Sequence, residues 1–339
     1  MDKNKTDYIG YWIRRFLCDY LPCIRNLSEN TRKSYRDTFR LMLPHIANKS
    51  HTSIDTLLVQ SITPKSICSF LAEVEKERNC SVQTRNQRLA AIYALSKYVA
   101  LNSPEHVEWS RLVHTVPGKR AGKTLITYLE KEEMNMLLNA PDRKTEQGWR
   151  DYALMLFLYN TGARADEAAS LKISDIFIPE RKNSGIPMVT IKGKGDKIRR
   201  CPLWNNTTKE MERLIDKRDA SGRLFLNRLG QPMTRFGIYE MVTRHAHVIE
   251  KQMPSIKGKR TSPHTIRHTT ATHLLQAGVD INTIRAWLGH VSINTTNIYA
   301  EVNLEMKTKA LKCCETKENA QRQKIWKDDK KLMDFLDSL

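Results

Sequence analysis

The sequence predicts a mainly α-helical protein of the α+β class, built from two domains, with one small antiparallel sheet in the second domain. Apolar side chains recur at helical spacing through the first hundred residues. Short β-rich pieces occur between positions 176 and 203, and a stretch with Pro, Gly and basic residues separates two helical regions. A chain of 339 residues is long enough to bury two cores.

The first domain is predicted over residues 1–111 and begins with two helices. Apolar residues from Ile9 to Tyr20 follow i, i+3, i+4, i+7 spacing, which is typical of one amphipathic helix. A second helix is expected to start after Ser28 or Asn30, both good N-cap residues, and to stop at Pro44.

Two more helices complete this domain. Thr63-Pro64 combines a cap with a first-turn proline, and Ser81 opens a fourth helix. Arginine, asparagine and glutamine are the side chains that read base edges in a major groove, although such a run is also typical of a solvated helix face. The start of the fourth helix carries four candidates for DNA binding: Arg85, Asn86, Gln87 and Arg88.

A basic linker over residues 112–124 is predicted to lie along phosphates, and the second domain to span 125–316. Three linker side chains are the candidate contacts: Lys119, Arg120 and Lys123. In the second domain, residues 152–159 are nearly all apolar and predict a buried helix. Two short strands flank a turn at 193–197, which predicts the small antiparallel sheet.

Charge favours a polyanionic partner. The chain has 56 Lys and Arg against 37 Asp and Glu, a net charge of +19, of which +6 falls in residues 1–115 and +13 in the remainder. A positive surplus on both halves favours a nucleic acid as the partner. A ribosome-associated protein or a protein bound to a membrane surface is an alternative that charge does not exclude. No run of about 20 apolar residues could span a bilayer. Seven scattered cysteines predict neither a disulfide framework nor a metal site, and indicate a cytoplasmic protein.

Four separated motifs in the second domain carry candidate chemistry. Each has an ordinary structural explanation when taken alone, such as a helix end or a hairpin turn. They are Thr161-Gly162-Ala163-Arg164, Lys194 in a Gly-Lys-Gly turn, His264 with Arg267, and Leu288-Gly289-His290 with Tyr299 nine residues beyond the histidine.

Together the motifs supply the groups that a metal-free phosphodiester transfer requires. Arg164 and Arg267 can each hold phosphate oxygens through paired hydrogen bonds and stay charged. Imidazoles can donate hydrogen bonds or move a proton near neutral pH, and a lysine can protonate a leaving oxygen. Tyr299 is a nucleophile that can form a covalent phosphotyrosine.

The order and spacing of these motifs closely resemble the tyrosine recombinases, the phage-integrase and Xer-type family. The resemblance covers roughly residues 8–303, because the N-terminal helices also resemble the family's SAM-like core-binding domain. It implies six catalytic residues: Arg164, Lys194, His264, Arg267, His290 and Tyr299. Lys197 lies close enough to Lys194 to be an alternative general acid. Glu167 and His268 are expected to support the site, Glu167 by orienting Arg164.

The resemblance further implies a site-specific recombinase of the integrase or transposase type that clamps duplex DNA. Strand cleavage would leave a 3′-phosphotyrosine, and exchange would occur in a homotetramer holding two sites, with no metal, cofactor or nucleotide energy source. An accessory directionality factor is compatible with it. A tail over 317–339, with an apolar stripe ending in Leu336 and Leu339, is expected to dock on a neighbouring protomer or fold back on its own domain.

Two other functions are alternatives to a site-specific recombinase. A type IB topoisomerase or telomere resolvase would use the same Arg, Lys, His and Tyr chemistry without paired recombination sites. A DNA-binding accessory protein without catalysis would be expected to carry a damaged catalytic set, whereas none of the six residues is missing here.

Overall fold

The computed structural model describes residues 5–122, 127–179, 185–193 and 197–289, together with 334 and 336–338. The chain divides into two compact units, residues 1–124 and 125–339. Most of the predicted tail helix lies outside the described residues. No helix in the described ranges combines the length and apolar character needed to cross a membrane.

The N-terminal unit is a bundle of helices around an aromatic core. Trp12, Phe16, Phe39 and Phe70 are all at most 2% exposed and belong to one apolar cluster. The helices of this unit are α1 (Ile9–Arg15), α2 (Glu29–Lys49), α3 (Pro64–Arg78), α4 (Val82–Asn102) and α5 (Val107–Val113).

The first apolar stripe forms two kinds of helix. After α1 the chain continues as a π-helical segment, Phe16–Ile24, that contains Pro22. Proline cannot donate the i to i−4 hydrogen bond of an α-helix. The π-helical segment has wider turns, in which hydrogen bonds join residues five apart. At its end, Arg25 N donates to Tyr20 O at 2.9 Å. The prediction of a single regular helix was therefore wrong at its second half.

Helix α2 begins as predicted but ends later. Ser28 is its N-cap and accepts a hydrogen bond from Thr31 N. The prediction that Pro44 ends the helix is wrong, because α2 continues through it to Lys49. The last turn is held by packing: Ile46 is buried, and the buried His45 lies 2.7 Å from a carboxylate of α3. These tertiary contacts outweigh the one backbone hydrogen bond that Pro44 removes.

The caps of α3 and α4 are confirmed. Thr63 and Ser66 form a reciprocal capping box at the start of α3. Ser81 accepts a hydrogen bond from Thr84 N at 3.2 Å and opens α4.

The C-terminal unit is mostly helical and contains the predicted small sheet. Between residues 127 and 289, where described, its helices are α6 (Lys131–Asn139), α7 (Glu146–Thr161), α8 (Ala165–Ser170), α9 (Asn205–Ile215), α10 (Arg235–Ile249), α11 (Pro263–Gln276) and α12 (Ile281–Leu288). The strands are β1 (Ile176–Phe177), β2 (Met188–Lys192) and β3 (Ile198–Pro202), paired antiparallel in the order β1-β2-β3. The predicted fold class is confirmed.

Helix α7 is the buried centre of this unit. Leu154 and Phe157 are fully buried, as the apolar run predicts. Helix α11 packs against α7, and Thr270 of α11 donates its hydroxyl to the carbonyl of Tyr159 at 2.8 Å. The two helices that carry candidate residues at or next to their ends, α7 and α11, are therefore held rigidly side by side.

Candidate active site

Arg164 lies at the junction of α7 and α8. Gly162 ends α7 with a left-handed backbone, φ +60°, which glycine adopts without steric cost. A Cβ on Gly162 would also lie 2.5 Å from Leu288 Cδ2, so a side chain has no room there. Gly162 of the Thr-Gly-Ala-Arg motif thus ends α7 and also allows the chain to pack closely against Leu288 of the Leu-Gly-His motif.

Glu167 holds Arg164 from two directions. The Arg164 guanidinium donates to Glu167 Oε1 at 2.7 Å, and the Arg164 backbone N–H donates to Oε2 at 2.9 Å. The Arg164 side chain keeps 34% of its surface exposed, whereas Glu167 is buried. The two bonds hold the Arg164 side chain and leave its edge accessible to an anion; the orienting role of Glu167 in the reaction stays a prediction.

Sequence reasoning missed a third member of this group, Arg199 on β3. Its Nη2 donates to Glu167 Oε2 at 2.7 Å, and its side chain is only 8% exposed. Arg199 is two residues before the buried Cys201, so strand alternation turns both toward the interior. An arginine on the inward side of a strand requires an anionic partner, and that pattern was the available signal.

The two arginines determine the charge of Glu167. Burial by itself would raise the pKa of this carboxyl group. The hydrogen bond and positive charge of Arg199, together with the bonds from Arg164, outweigh burial and lower the pKa to about 2. Glu167 is therefore a carboxylate at any working pH.

Arg267 joins three of the predicted motifs. It lies on α11, is 3% exposed, and donates to the carbonyl oxygens of Gly162 and Leu288, each at 2.6 Å. One buried guanidinium therefore fixes the end of α7, the middle of α11 and the end of α12 relative to one another. Arg267 has a structural purpose in addition to its predicted contact with phosphate.

His264 lies three residues before Arg267 in the first turn of α11, and it is exposed although its neighbours Pro263 and Thr265 are buried. Partial desolvation lowers its pKa, and the positive charges of Arg267 and Arg164 lower it further. The imidazole of His264 thus interacts electrostatically with both arginines. At neutral pH the imidazole is mainly neutral and can either donate a hydrogen bond or accept a proton.

His268 follows Arg267 and is less exposed than His264. Desolvation, then the neighbouring His264 and Arg267, lower its pKa to about 4. His268 is thus neutral near pH 7, which suits the supporting role predicted for it.

Lys194, His290 and Tyr299 lie outside the described residues, but residues that flank two of them are placed. A Cβ on Gly193, the residue before Lys194, would lie 3.3 Å from Glu167 Oε1. A Cβ on Gly289, the residue before His290, would lie 3.2 Å from Arg199 Cδ. Both flanking glycines therefore lie beside the ion pair formed by Glu167 and Arg199. Lys197, the alternative general acid, is exposed beyond the turn.

The predicted DNA-binding side chains of α4 have internal partners. Arg85 is 5% exposed and donates to Pro117 O at 3.1 Å. The Asn86 amide donates to Lys119 O at 2.7 Å and accepts from Lys119 N at 3.0 Å. Arg85 and Asn86 thus attach residues 117–119 to α4, a role that differs from the predicted base contact.

The remaining DNA-binding candidates are more open. Gln87 is exposed and donates to the Ser34 hydroxyl at 2.8 Å, and Arg88 is half-buried. Lys119 forms an ion pair at 2.7 Å with a glutamate of α3, and Arg120 is exposed. Lys123 lies outside the described residues.

Known families match both units. Residues 127–306 match the phage integrase family, and residues 13–101 match the phage integrase N-terminal SAM-like domain. The chain is 37% identical over 329 residues to a putative integrase/recombinase, y4rC, of Sinorhizobium fredii, covering 96% of this chain and 97% of that protein. It is 29% identical over 289 residues to tyrosine recombinase XerC of Pelobacter propionicus, covering 84% and 89%.

Solved structures share the fold. The XerH site-specific recombinase bound to its difH substrate superimposes with a TM-score of 0.63 at 22% identity, covering 93% of this chain and 98% of that one. The Tn1549 transposon integrase in complex with transposon right end DNA gives 0.65 at 18% identity, covering 88% and 98%.

The family match and the relatives define the class of this protein as a tyrosine-type site-specific recombinase. The chain belongs to the phage integrase family, whose matched region includes all six residues of the predicted catalytic set.

Proposed function

We propose that this recombinase cuts and rejoins duplex DNA through a 3′-phosphotyrosine on Tyr299, as an integrase or transposase of a mobile element. The observation that supports this most directly is Arg267, which joins the Gly162 and Leu288 carbonyls beside the Arg164–Glu167 pair. The rigid frame holds two cations and a neutral imidazole, the groups that a reacting phosphate needs.

The transfer balances without an outside energy source. The Tyr299 oxygen attacks phosphorus and gives its proton to the imidazole of His264 or His290, while the bond from phosphorus to the 5′ oxygen breaks. Lys194 gives a proton to that leaving oxygen, and Arg164 and Arg267 offset the charge that develops on the phosphate. His264 and His290 donate hydrogen bonds or move protons. Because the phosphotyrosine retains the energy of the broken ester, rejoining is the same reaction in reverse.

Duplex DNA is the proposed partner, and the net charge of +19 supports binding to it. Recombination needs two DNA sites, so a homotetramer with one protomer for each half-site is the proposed assembly. The tail over 317–339 would dock on a neighbouring protomer, and an accessory factor would set direction. We place this activity in the cytoplasm.

Covalent trapping tests the proposal. Purified protein is incubated in EDTA with nicked duplexes taken from its own genomic neighbourhood, so that a cleaved strand end diffuses away. Wild type should give a protein–DNA adduct that survives denaturation, and Tyr299→Phe should bind the same duplexes without forming it.

An adduct that persists in Tyr299→Phe would identify another nucleophile. Tight binding without any adduct from the wild type would favour a DNA-binding accessory protein. Relaxation of a one-site plasmid at full rate would favour topoisomerase-type activity.

A further inference from the structure

The side chain of Arg199 hydrogen-bonds to one segment that carries a proposed catalytic residue and lies beside two others. Its Nη2 donates to Glu167, which in turn holds Arg164. Its Nη1 lies 3.6 Å from where a Cβ on Gly193 would be, and its Cδ 3.2 Å from a Cβ on Gly289. The side chain thus lies between the start of α8, Gly193 after β2, and the end of α12.

The bond to Glu167 gives Arg199 control over the orientation of Arg164. Glu167 has two carboxylate oxygens: Arg164 Nη1 binds Oε1 and Arg199 Nη2 binds Oε2, both at 2.7 Å. The backbone N–H of Arg164 also donates to Oε2, at 2.9 Å, so without Arg199 this oxygen would keep only that neutral donor. The carboxylate could then rotate and draw the Arg164 side chain inward, because Arg164 would be its remaining charged partner. Arg164 is the partly exposed member of the pair, so its accessible edge would be lost.

The bare backbone of Gly289 makes room for this arrangement. Gly289 has φ +65° and ends α12, and any side chain there would meet Arg199. Gly278 provides a comparison within the same unit: it has φ +87°, but nothing lies within 4 Å of the position of its Cβ. The two glycines share a left-handed backbone, while only Gly289 of this pair abuts Arg199.

We propose that Arg199 is a positioning residue for the reaction: seated against Gly289, it holds Glu167 so that Arg164 presents its guanidinium to the phosphate undergoing transfer. This inference rests on the proposed phosphotyrosine chemistry. Arg199 acts through Glu167 and does not itself touch the reacting atoms.

Two substrate chemistries test the inference in Arg199→Met. One nicked duplex carries the ordinary phosphate at the cleavage position, and the other a methylphosphonate, in which a neutral methyl group replaces one charged oxygen. Cleavage of the phosphate should fall about 10- to 100-fold, the loss typical when a residue that orients a metal ligand is removed from other sites. On the methylphosphonate the loss should be much smaller. The transition state there carries less negative charge, so cleavage depends less on a correctly placed Arg164.

The ratio of the two rates is independent of how much of a variant is folded, so partial misfolding does not obscure the result. Arg200→Met is the matched control: the neighbouring residue of β3 is an exposed arginine and should keep the wild-type ratio. Gly289→Ala should shift the ratio in the same direction as Arg199→Met. Gly278→Ala, which carries comparable backbone strain, should not.

An Arg199→Met protein with the wild-type ratio would overturn the inference while leaving the proposed function intact. Equal ratios for the two glycine variants would contradict the role of the Gly289 contact. Failure of the wild type to form any adduct would instead overturn the proposed function and this inference with it.

Discussion

The stability of the C-terminal unit should depend on the ionised Glu167 carboxylate. The substitution Glu167→Gln keeps the shape of the side chain and removes its charge. The pKa of Glu167 is lowered from 4.5 to about 2, and each pH unit corresponds to about 1.4 kcal/mol. The free energy of unfolding should therefore fall by about 3 kcal/mol at pH 7, at the low end for a broken buried pair because Arg164 is partly exposed.

The pH dependence follows from the direction of the pKa change. A carboxyl whose pKa is lower in the folded state stabilises that state fully above its unfolded value near 4.5, and this contribution is lost as pH falls toward 2. The difference between wild type and Glu167→Gln should accordingly be constant from pH 7 to about 5 and shrink below that.

Urea-induced unfolding measures the difference in unfolding free energy between wild type and Glu167→Gln. Monitoring it by pulsed hydrogen exchange in peptides from residues 127–289 reports on the C-terminal unit. Asp166→Asn is the control, because Asp166 is the neighbouring carboxylate on α8 and is exposed. It should change the unfolding free energy by at most about 0.5 kcal/mol. Equal stability of wild type and Glu167→Gln at pH 7, or a difference that persists unchanged to pH 3, would refute the reasoning.

Three further predictions concern other parts of the chain. Arg267→Ala should abolish cleavage and lower the unfolding free energy by about 3 kcal/mol or more, since two buried carbonyls lose charged donors; normal single-turnover cleavage would contradict the clamp role. Asn86→Ala should loosen residues 117–119 by about 1–2 kcal/mol, seen as faster proteolysis near Lys119, with Gln87→Ala as a control that should leave that rate unchanged. Truncation after Lys331 should reduce tetramer formation on paired DNA sites in analytical ultracentrifugation, and an unchanged tetramer would exclude docking of the tail.

Local patterns predicted several elements of the fold. The cap at Ser28 and the capping box at Thr63 involve neighbours within three residues, so the sequence shows both partners. The antiparallel hairpin was predictable because alternation and a glycine turn are local too. The end of α2 was misjudged at Pro44, since whether a helix continues through a proline depends on packing that no local pattern records.

The same distinction between local pattern and tertiary packing applies to the candidate site. Sequence by itself determined which groups are available, because the order and spacing of Arg164, His264 and Arg267 are fixed by the chain. Tertiary structure decided how they are held: Arg267 binds carbonyls 105 and 21 residues away, and Arg199 reaches Glu167 across 32 residues. A charged side chain that is buried loses its hydration and therefore needs an oppositely charged or hydrogen-bonding partner. Only the folded chain determines which residue that partner is.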